Sequence, residues 1–239
     1  MGYLDKAVNI ADLDSRQLWV IWGKSGSGKT EILGTFPKPL LYIRVGDDGS
    51  GTISNVKGIK ALEANTTEEL KAILEEAKSD EKYATVVIDT FSLLVQEWID
   101  LNVTKKKKKM TQQTWGDLKT EAEELIRLAS ELAMTKIVVL TCHEVTDTIE
   151  GMEDEILPDI RPSVNKGART YLEGMANYGI HTAVVVKETD TGEVTRHIAH
   201  LAPNAYYWTK VQKPSRIRLP KSMVNPTYDK IILKLQGGK

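Results

Sequence analysis

An eight-residue segment rich in glycine, Gly-Lys-Ser-Gly-Ser-Gly-Lys-Thr at positions 23 to 30, constrains this chain more than any other part of its sequence. It follows an apolar run at residues 18–22 and fits the pattern G-x-x-x-x-G-K-[S/T] at every restricted position. Glycines let the backbone curl so that its N–H groups point at an anion. The sequence therefore predicts a strand, a phosphate-binding turn and a helix in this part of the chain.

Within this turn, each side chain has a predicted role in binding a nucleoside triphosphate with magnesium. Lys29 should reach the β- and γ-phosphates, and the hydroxyl of Thr30 should ligate Mg²⁺. The expected nucleotide is ATP. The residues predicted to contact it are Gly23, Lys24, Ser25, Gly26, Ser27, Gly28, Lys29, Thr30 and Glu31.

Short apolar runs that lack strict alternation recur along the chain, as expected for the central strands of a parallel sheet. They lie at residues 18–22, 40–44, 84–88 and 136–140. Helical periodicity is found between them, at residues 66–78 and 115–133. Alternating strands and helices predict an α/β fold with a mostly parallel central sheet flanked by helices.

The pattern changes after residue 180. Two β-rich runs, 180–186 and 194–200, flank an Asp-Thr-Gly turn and predict a hairpin. We expect the β-rich segment 206–235 to add edge strands, so that residues 1–200 form the core and residues 201–239 a basic β extension packed on the same domain. Two stretches, 102–114 and 144–166, are predicted to be long irregular loops, and such loops are usually functional or disordered.

Composition and charge narrow the class of protein further. Hydrophobic residues make up 41% and charged residues 27%, as in globular domains without a membrane span. The first residues carry no secretory signal and Cys142 is the single cysteine, so we expect a cytoplasmic protein without disulfides. Residues 201–239 hold eight basic side chains and one acidic one, a net charge of +7, against −8 for the rest. This asymmetry predicts a phosphate-bearing partner.

Polar side chains at strand ends are the remaining candidates for catalysis. Asp89 follows the strand at 84–88 and is predicted to hold magnesium, directly or through water. Asp47 and Asp48 follow the strand at 40–44 and are predicted to activate water if that strand neighbours the glycine-rich turn, with Asp48 favoured because Gly49 follows it. His143, after the strand at 136–140, is predicted to sense the γ-phosphate.

The order of these parts resembles the RecA/RadA family of recombination ATPases over roughly residues 15 to 220. It is particularly similar to the phage-encoded RecA-like ATPases with an AAA domain, a group that includes single-strand annealing proteins. The resemblance implies a RecA-like core, a water-activating carboxylate at Asp47 or Asp48, and a sensor at His143. It also implies two DNA-binding loops, at 102–114 and 144–166, and the cytoplasm of a bacterial host if the gene is a phage gene.

The resemblance also implies functions for two groups of basic residues. One would bind the phosphates of single-stranded DNA, without reading sequence. Its members are Lys105, Lys106, Lys107, Lys108, Lys109, Arg161, Lys166 and Arg169. The other would reach the nucleotide of a neighbouring subunit as a trans-acting finger. Its candidates are Lys210, Lys213, Arg216 and Arg218.

The main hypothesis is therefore an ATPase that forms a homo-oligomer or filament on single-stranded DNA, with ATP and Mg²⁺ bound between subunits. Its monomer should hydrolyse slowly, because a missing finger can cost roughly 10³- to 10⁵-fold in rate. Two alternatives stay open. One is a small-molecule or nucleotide kinase in which Arg161 and Arg169 serve as a lid, and the other is an ATP-binding switch or packaging-type motor accessory with little turnover.

Overall fold

The computed structural model describes residues 16–46, 49–150, 156–189, 192–213 and 216–237. The strands are β1 (Gln17–Gly23), β2 (Leu40–Arg44), β3 (Ile59–Glu63), β4 (Thr85–Asp89), β5 (Ile137–Cys142), β6 (Glu144–Glu150), β7 (Ile156–Pro162), β8 (Tyr178–Thr189), β9 (Gly192–His200), β10 (Lys210–Val211) and β11 (Ser222–Val224). The helices are α1 (Lys29–Leu33), α2 (Thr67–Ser79), α3 (Phe91–Ile99), α4 (Gln112–Leu132), α5 (Lys166–Met175) and α6 (Tyr228–Leu235).

Nine of these strands form one sheet in the order β11-β9-β8-β1-β5-β4-β2-β3, with β10 paired to β8 as well. The six strands from β8 to β3 in this order are parallel, whereas β9, β10 and β11 pair antiparallel. The α/β fold with a mostly parallel sheet, flanking helices and C-terminal antiparallel strands is thus confirmed. The carboxyl ends of β1, β5 and β4 lie side by side, which is where ligands bind in open α/β sheets.

Burial on both faces explains why the central strands are apolar at every position. From Leu18 to Trp22 every side chain of β1 is 0% exposed. Trp19 and Ile21 point into one core, with α1 and α6, while Leu18, Val20 and Trp22 point into the other, with α2, α4 and α5. The sheet is therefore covered by helices on both sides and holds its carboxyl edge in a fixed position.

Helix starts follow ordinary capping chemistry. The hydroxyl of Thr66 accepts a hydrogen bond from Glu69 N and begins α2, and Thr111 does the same for Thr114 N at the start of α4. The predicted helices at 66–78 and 115–133 are therefore present within a few residues of their expected bounds. Strand β3 was not predicted, because no residue of its short sequence is fully buried and three of its five residues are exposed.

Two predicted irregular stretches are more ordered than expected. Helix α3 continues through a π-helical turn, Asp100–Thr104, and α4 begins at Gln112, so the gap between them is short. Residues 144–162 include the antiparallel hairpin β6–β7, whose register pairs Glu144 with Pro162. The prediction of a long irregular loop at 144–166 was therefore wrong. Polar side chains in this segment gave no clear strand pattern, although β6 and β7 form a separate two-stranded sheet.

The prediction of strands throughout 206–235 was also partly wrong. Strands β10 and β11 do add to the sheet, but α6 is a helix whose cap, Thr227, accepts from Lys230 N. Ile231, Ile232 and Leu235 then pack on the core around α1. This spacing of three apolar residues suits one helical face better than an alternating strand.

Among the described residues, no helix combines the length and the apolar character that crossing a bilayer requires.

Candidate functional site

The glycine-rich turn leaves the carboxyl end of β1 and closes onto α1. Gly26 and Gly28 have φ values of +74° and +89°, in the left-handed region that favours glycine. Gly28 is also the N-cap of α1, and a Cβ built there would lie 2.7 Å from Nδ1 of His197. Both the backbone conformation and the close neighbour therefore require glycine at position 28.

Lys29 lies inside this turn, with only 7% of its surface exposed. Its Nζ donates to the carbonyl oxygens of Gly23, at 3.0 Å, and Lys24, at 2.9 Å. Burial lowers the pKa of Lys29, and the nearby Asp89 carboxylate opposes that shift. The ammonium group is thus held within the turn by its own backbone, where it also lines a cavity.

Asp89 ends β4 and receives hydrogen bonds from four hydroxyl groups. Its Oδ2 accepts from Tyr42, at 2.6 Å, and from Thr30, at 3.2 Å. Its Oδ1 accepts from Thr90, at 2.9 Å, and from Thr141. The carboxylate is 2% exposed, so these donors fix its orientation beside Thr30.

The pairing of Thr30 with Asp89 fits a magnesium site. Mg²⁺ in nucleotide-binding proteins is usually held by one or two protein oxygens together with phosphate oxygens and water. No cluster of three or more His, Cys, Asp or Glu side chains occurs in the part of the chain that the structure describes. Thr30 and Asp89 would therefore supply two oxygen ligands to Mg²⁺, and the triphosphate and water would complete its coordination shell. The bound ion would neutralise phosphate charge.

A cavity of about 490 Å³ opens over these groups. This volume is in the range of small-molecule and cofactor pockets. The residues that line it are Ser25, Gly26, Gly28, Lys29, Thr30, Glu31, Gly49, Thr52, Asp89, Thr90, His143 and His197. Six of the nine residues predicted to contact the nucleotide, Lys29 among them, line this cavity. Ser27 is buried instead, and its hydroxyl is hydrogen-bonded to that of Thr182, at 2.7 Å.

His143 is in this lining, as expected for a residue that follows β5. Its backbone N–H donates to Ser92 Oγ, at 3.0 Å. Burial lowers the pKa of His143, the positive charge of Lys29 lowers it further, and Asp89 opposes the shift. The side chain is therefore placed to meet a ligand as a neutral imidazole. Cys142, just before it, is fully buried, and burial raises the pKa of its thiol to about 12, so it acts as a small core side chain.

The predicted water-activating residues, Asp47 and Asp48, lie outside the described residues. The condition attached to them is not met, because β5 and β4 separate β2 from β1. The segment that follows them nevertheless returns to the cavity. A Cβ built on Gly49 would lie 2.9 Å from Thr30 Oγ1. The order of strands cannot be read from local patterns, so the sequence alone leaves this adjacency open.

Two side chains near the cavity were not predicted from the sequence. Glu144 is the first residue of β6, and its carboxylate lies 3.1 Å from Nε2 of His181 and 3.8 Å from Nζ of Lys24. His197 reaches the cavity from β9. Both come from segments far along the chain, and a lone Glu or His on a strand carries no local signal of its role.

The predicted DNA-binding residues fall into two groups. Lys105 to Lys109 are exposed after the π-helical turn, and no ion pair with an acidic side chain is formed by them within the described ranges. By contrast, Arg161 pairs with Asp159 at 2.6 Å, and Arg169 pairs with Asp147 at 2.7 Å.

Lys166, at the start of α5, is exposed. The exposed basic surface predicted from the sequence thus centres on 105–109, and the two arginines are engaged within the fold.

The four finger candidates lie away from this cavity's wall. Lys210 donates to the carbonyl oxygens of Glu173, at 3.0 Å, and Gly174, at 2.8 Å, at the C-terminal end of α5. Lys213 is partly buried near Thr209. Arg216 and Arg218 are exposed and line a surface depression with the end of α6.

A curled glycine-rich turn, a buried lysine and a Thr–Asp pair, all at the carboxyl edge of a parallel sheet, define a P-loop nucleotide-binding protein. Comparison with known families agrees, since the AAA domain family matches residues 15–211. The chain therefore belongs to the AAA domain family, and nucleotide binding and hydrolysis are the activities that this membership indicates. No curated protein matches the sequence.

Proposed function

We propose that this protein is a magnesium-dependent ATPase that acts on single-stranded DNA in recombination or strand annealing. The observation that carries the nucleotide half is the contact of Thr30 with Asp89 beside the buried ammonium of Lys29. These groups converge on a cavity of about 490 Å³, with space for phosphates. Lys29 would bind the β- and γ-phosphates, and His143 would contact the terminal one.

The DNA half of the proposal depends on the lysine run. Five adjacent exposed ammonium groups without acidic partners among the described side chains attract a phosphate backbone and read no sequence. Each neutralised phosphate of a single strand contributes about −0.7 to the slope of log K against log salt. Binding through this run should therefore be strongly salt-dependent.

The assembly is proposed to place the nucleotide between subunits. Arg216 and Arg218 are exposed outside the cavity of their own chain, so they would act on a neighbour's nucleotide. Lys210 and Lys213 are the weaker candidates, because Lys210 is bonded to the end of α5. Residues 1–200 would form the ATPase core, with residues 201–239 as an extension packed on it.

A kinase is favoured less. A lid would need arginines that are free to close over the phosphates, whereas Arg161 and Arg169 are engaged in ion pairs with Asp159 and Asp147. Within the described residues, no arginine lines the cavity.

The test is ATP turnover measured with and without single-stranded DNA over a range of protein concentrations. Stimulation by DNA that rises steeply with protein concentration is expected for a site shared between subunits. Turnover that is slow, unaffected by DNA and proportional to protein would instead identify a nucleotide-binding switch.

A second experiment addresses the lysine run. Replacing Lys105 to Lys109 by alanine should weaken single-stranded DNA binding, flatten its salt dependence by up to about 3.5 units of slope, and leave ATP binding intact. The matched control replaces three exposed lysines near the amino end of the strands, Lys57, Lys60 and Lys82. Equal DNA affinity in the five-alanine variant and the control would overturn the assignment of this run.

A further inference from the structure

His197 reaches the nucleotide cavity from β9, a strand of the antiparallel hairpin that follows the parallel sheet. Its backbone pairs with Val184 on β8, and its carbonyl oxygen accepts from Asn225 N, at 2.8 Å. The root of the same hairpin is joined to the P-loop, because Thr182 Oγ1 lies 2.7 Å from Ser27 Oγ. These contacts fix the backbone of His197 next to the P-loop.

The ring lies against the backbone of Gly28. A Cβ at this position would lie 2.7 Å from Nδ1 and 2.9 Å from Cγ of the imidazole. Nδ1 is buried and has no hydrogen-bond partner. Because a protonated nitrogen without an acceptor is costly in a buried position, the neutral ring should carry its proton on Nε2.

Among the described residues, the one carboxylate within 4 Å of His197 Nε2 is that of Glu31. The distance of 3.7 Å between Nε2 and the carboxylate oxygen is too long for a hydrogen bond. The side chain of His197 is 34% exposed and lines the cavity. A donor without an acceptor in hydrogen-bond range thus borders the space in which a nucleotide would bind.

The residues that line the cavity form two groups by their contacts. Thr30 and Thr90 are both hydrogen-bonded to Asp89, so Mg²⁺ and the β- and γ-phosphates belong beside this group and Lys29. His197 lies instead against Gly28 and 3.7 Å from Glu31, in the first turn of α1. The side of the cavity at His197 is thus left for the α-phosphate and the sugar.

We propose that His197 is a nucleotide-binding residue whose Nε2–H donates to the α-phosphate–ribose end of the bound nucleotide. This inference rests on the proposed nucleotide binding and adds a contact delivered by the C-terminal hairpin. ATP and ADP share this end, so both should gain equally from the contact.

The test is calorimetric titration of the full chain with Mg-ATP and Mg-ADP. His197→Ala should weaken both nucleotides by about tenfold, as expected for loss of a hydrogen bond to a charged group. His197→Gln, which places an amide donor near the position of Nε2, should recover most of the affinity, whereas the shorter His197→Asn should not. Thr195→Ala, an exposed substitution on the same strand, is the matched control and should bind like the unmodified chain.

Each other outcome is decisive. Unchanged affinity in His197→Ala, while the unmodified chain binds ATP, would overturn this inference alone. A loss confined to ATP would move the contact to the γ-phosphate and overturn the placement. Failure of the unmodified chain to bind ATP would instead overturn the proposed function.

A measurement without substitutions covers the case in which a variant does not fold. The ring signals of the four histidines can be followed by NMR as Mg-ADP is added to the unmodified protein. Saturable movement of the His197 Nε2 signal, larger than that of His200, is expected. A His197 signal that stays in place while ADP binds would contradict the contact.

Discussion

The carboxylate of Glu144 lies 3.1 Å from Nε2 of His181, and its second oxygen lies 3.8 Å from Nζ of Lys24 in the P-loop. Glu144 therefore connects the phosphate-binding turn to the interior of the sheet at the base of hairpin β6–β7. Burial lowers the pKa of His181, and the hydrogen bond and charge of Glu144 oppose this shift.

Removing that charge should lower the pKa of His181 further. In Glu144→Gln, the imidazolium of His181 loses its carboxylate partner while burial is unchanged, so its titration should move to lower pH. NMR titration of the ring signal measures this directly. The control is Glu188→Gln, an exposed change on β8, the strand that holds His181. Equal titration curves of His181 in the two variants would show that Glu144 does not act on it.

Stability should fall as the solution becomes mildly acidic. Burial holds the pKa of His143, His181 and His200 below their ordinary value of 6.5, so the unfolded chain binds protons first as pH falls. The free energy of unfolding from urea titrations should therefore be constant above about pH 7 and decline from about 6.5 downward. His181→Gln should reduce this decline, and a decline of the same size in that variant would contradict a role for this residue.

Gly28→Ala should be more damaging than the same change at Gly26. Both positions have positive φ, but a Cβ meets nothing within 4 Å at Gly26, whereas at Gly28 it meets His197. The φ strain alone costs about 1–2 kcal/mol, and the clash adds to it at Gly28. Urea unfolding of the two variants measures the difference, which should shrink when Gly28→Ala is combined with His197→Ala. Equal losses for the two single variants would count against the described position of His197.

Asn177 is expected to be important for stability rather than for nucleotide binding. Its Oδ1 accepts from Leu18 N, at 3.1 Å, and from Arg16 Nε, at 3.2 Å, at the amino end of β1. Asn177→Ala leaves a buried backbone N–H without this acceptor, which should cost about 1–3 kcal/mol. Chemical denaturation tests this against Asn204→Ala, an exposed control. A cost below about 0.5 kcal/mol, typical of surface changes, would contradict it.

A feature of this molecule can be predicted from the sequence when it depends on neighbouring residues, and not when it depends on which distant strands pair. The turn at 23–30 and the buried strand before Asp89 are local patterns with a physical cause, and the structure brings Lys29, Thr30 and Asp89 together as expected. The site's outer wall depends on strand order instead. His197 reaches the cavity because β8 pairs with β1 and β9 with β8, and Glu144 lies near Lys24 because β5, which ends just before it, also pairs with β1. Nothing in the sequence near either residue indicates these pairings.

The errors have the same origin. The condition that β2 neighbours β1 is not met, because two later strands, β5 and β4, are placed between them. The hairpin β6–β7 was predicted to be a loop because its polar side chains weaken the alternation of a half-buried strand. Arg161 and Arg169 were predicted to bind DNA, but Arg161 pairs with Asp159 on its own strand and with Glu173 on α5, and Arg169 on α5 pairs with Asp147 of the hairpin. The partners on a different element become neighbours only because the hairpin lies against α5.

The groups around Lys29 should bind a magnesium–triphosphate complex. Calorimetric titration of Mg-ATP into the unmodified chain and into Lys29→Ala tests it most directly, with the exposed Lys60→Ala as control. We expect saturable binding by the unmodified chain and by the control, a loss of at least tenfold in Lys29→Ala, and weaker binding when Mg²⁺ is removed by a chelator. Equal affinity in all three proteins, or no binding at any ATP concentration, would show that these groups do not form a nucleotide site.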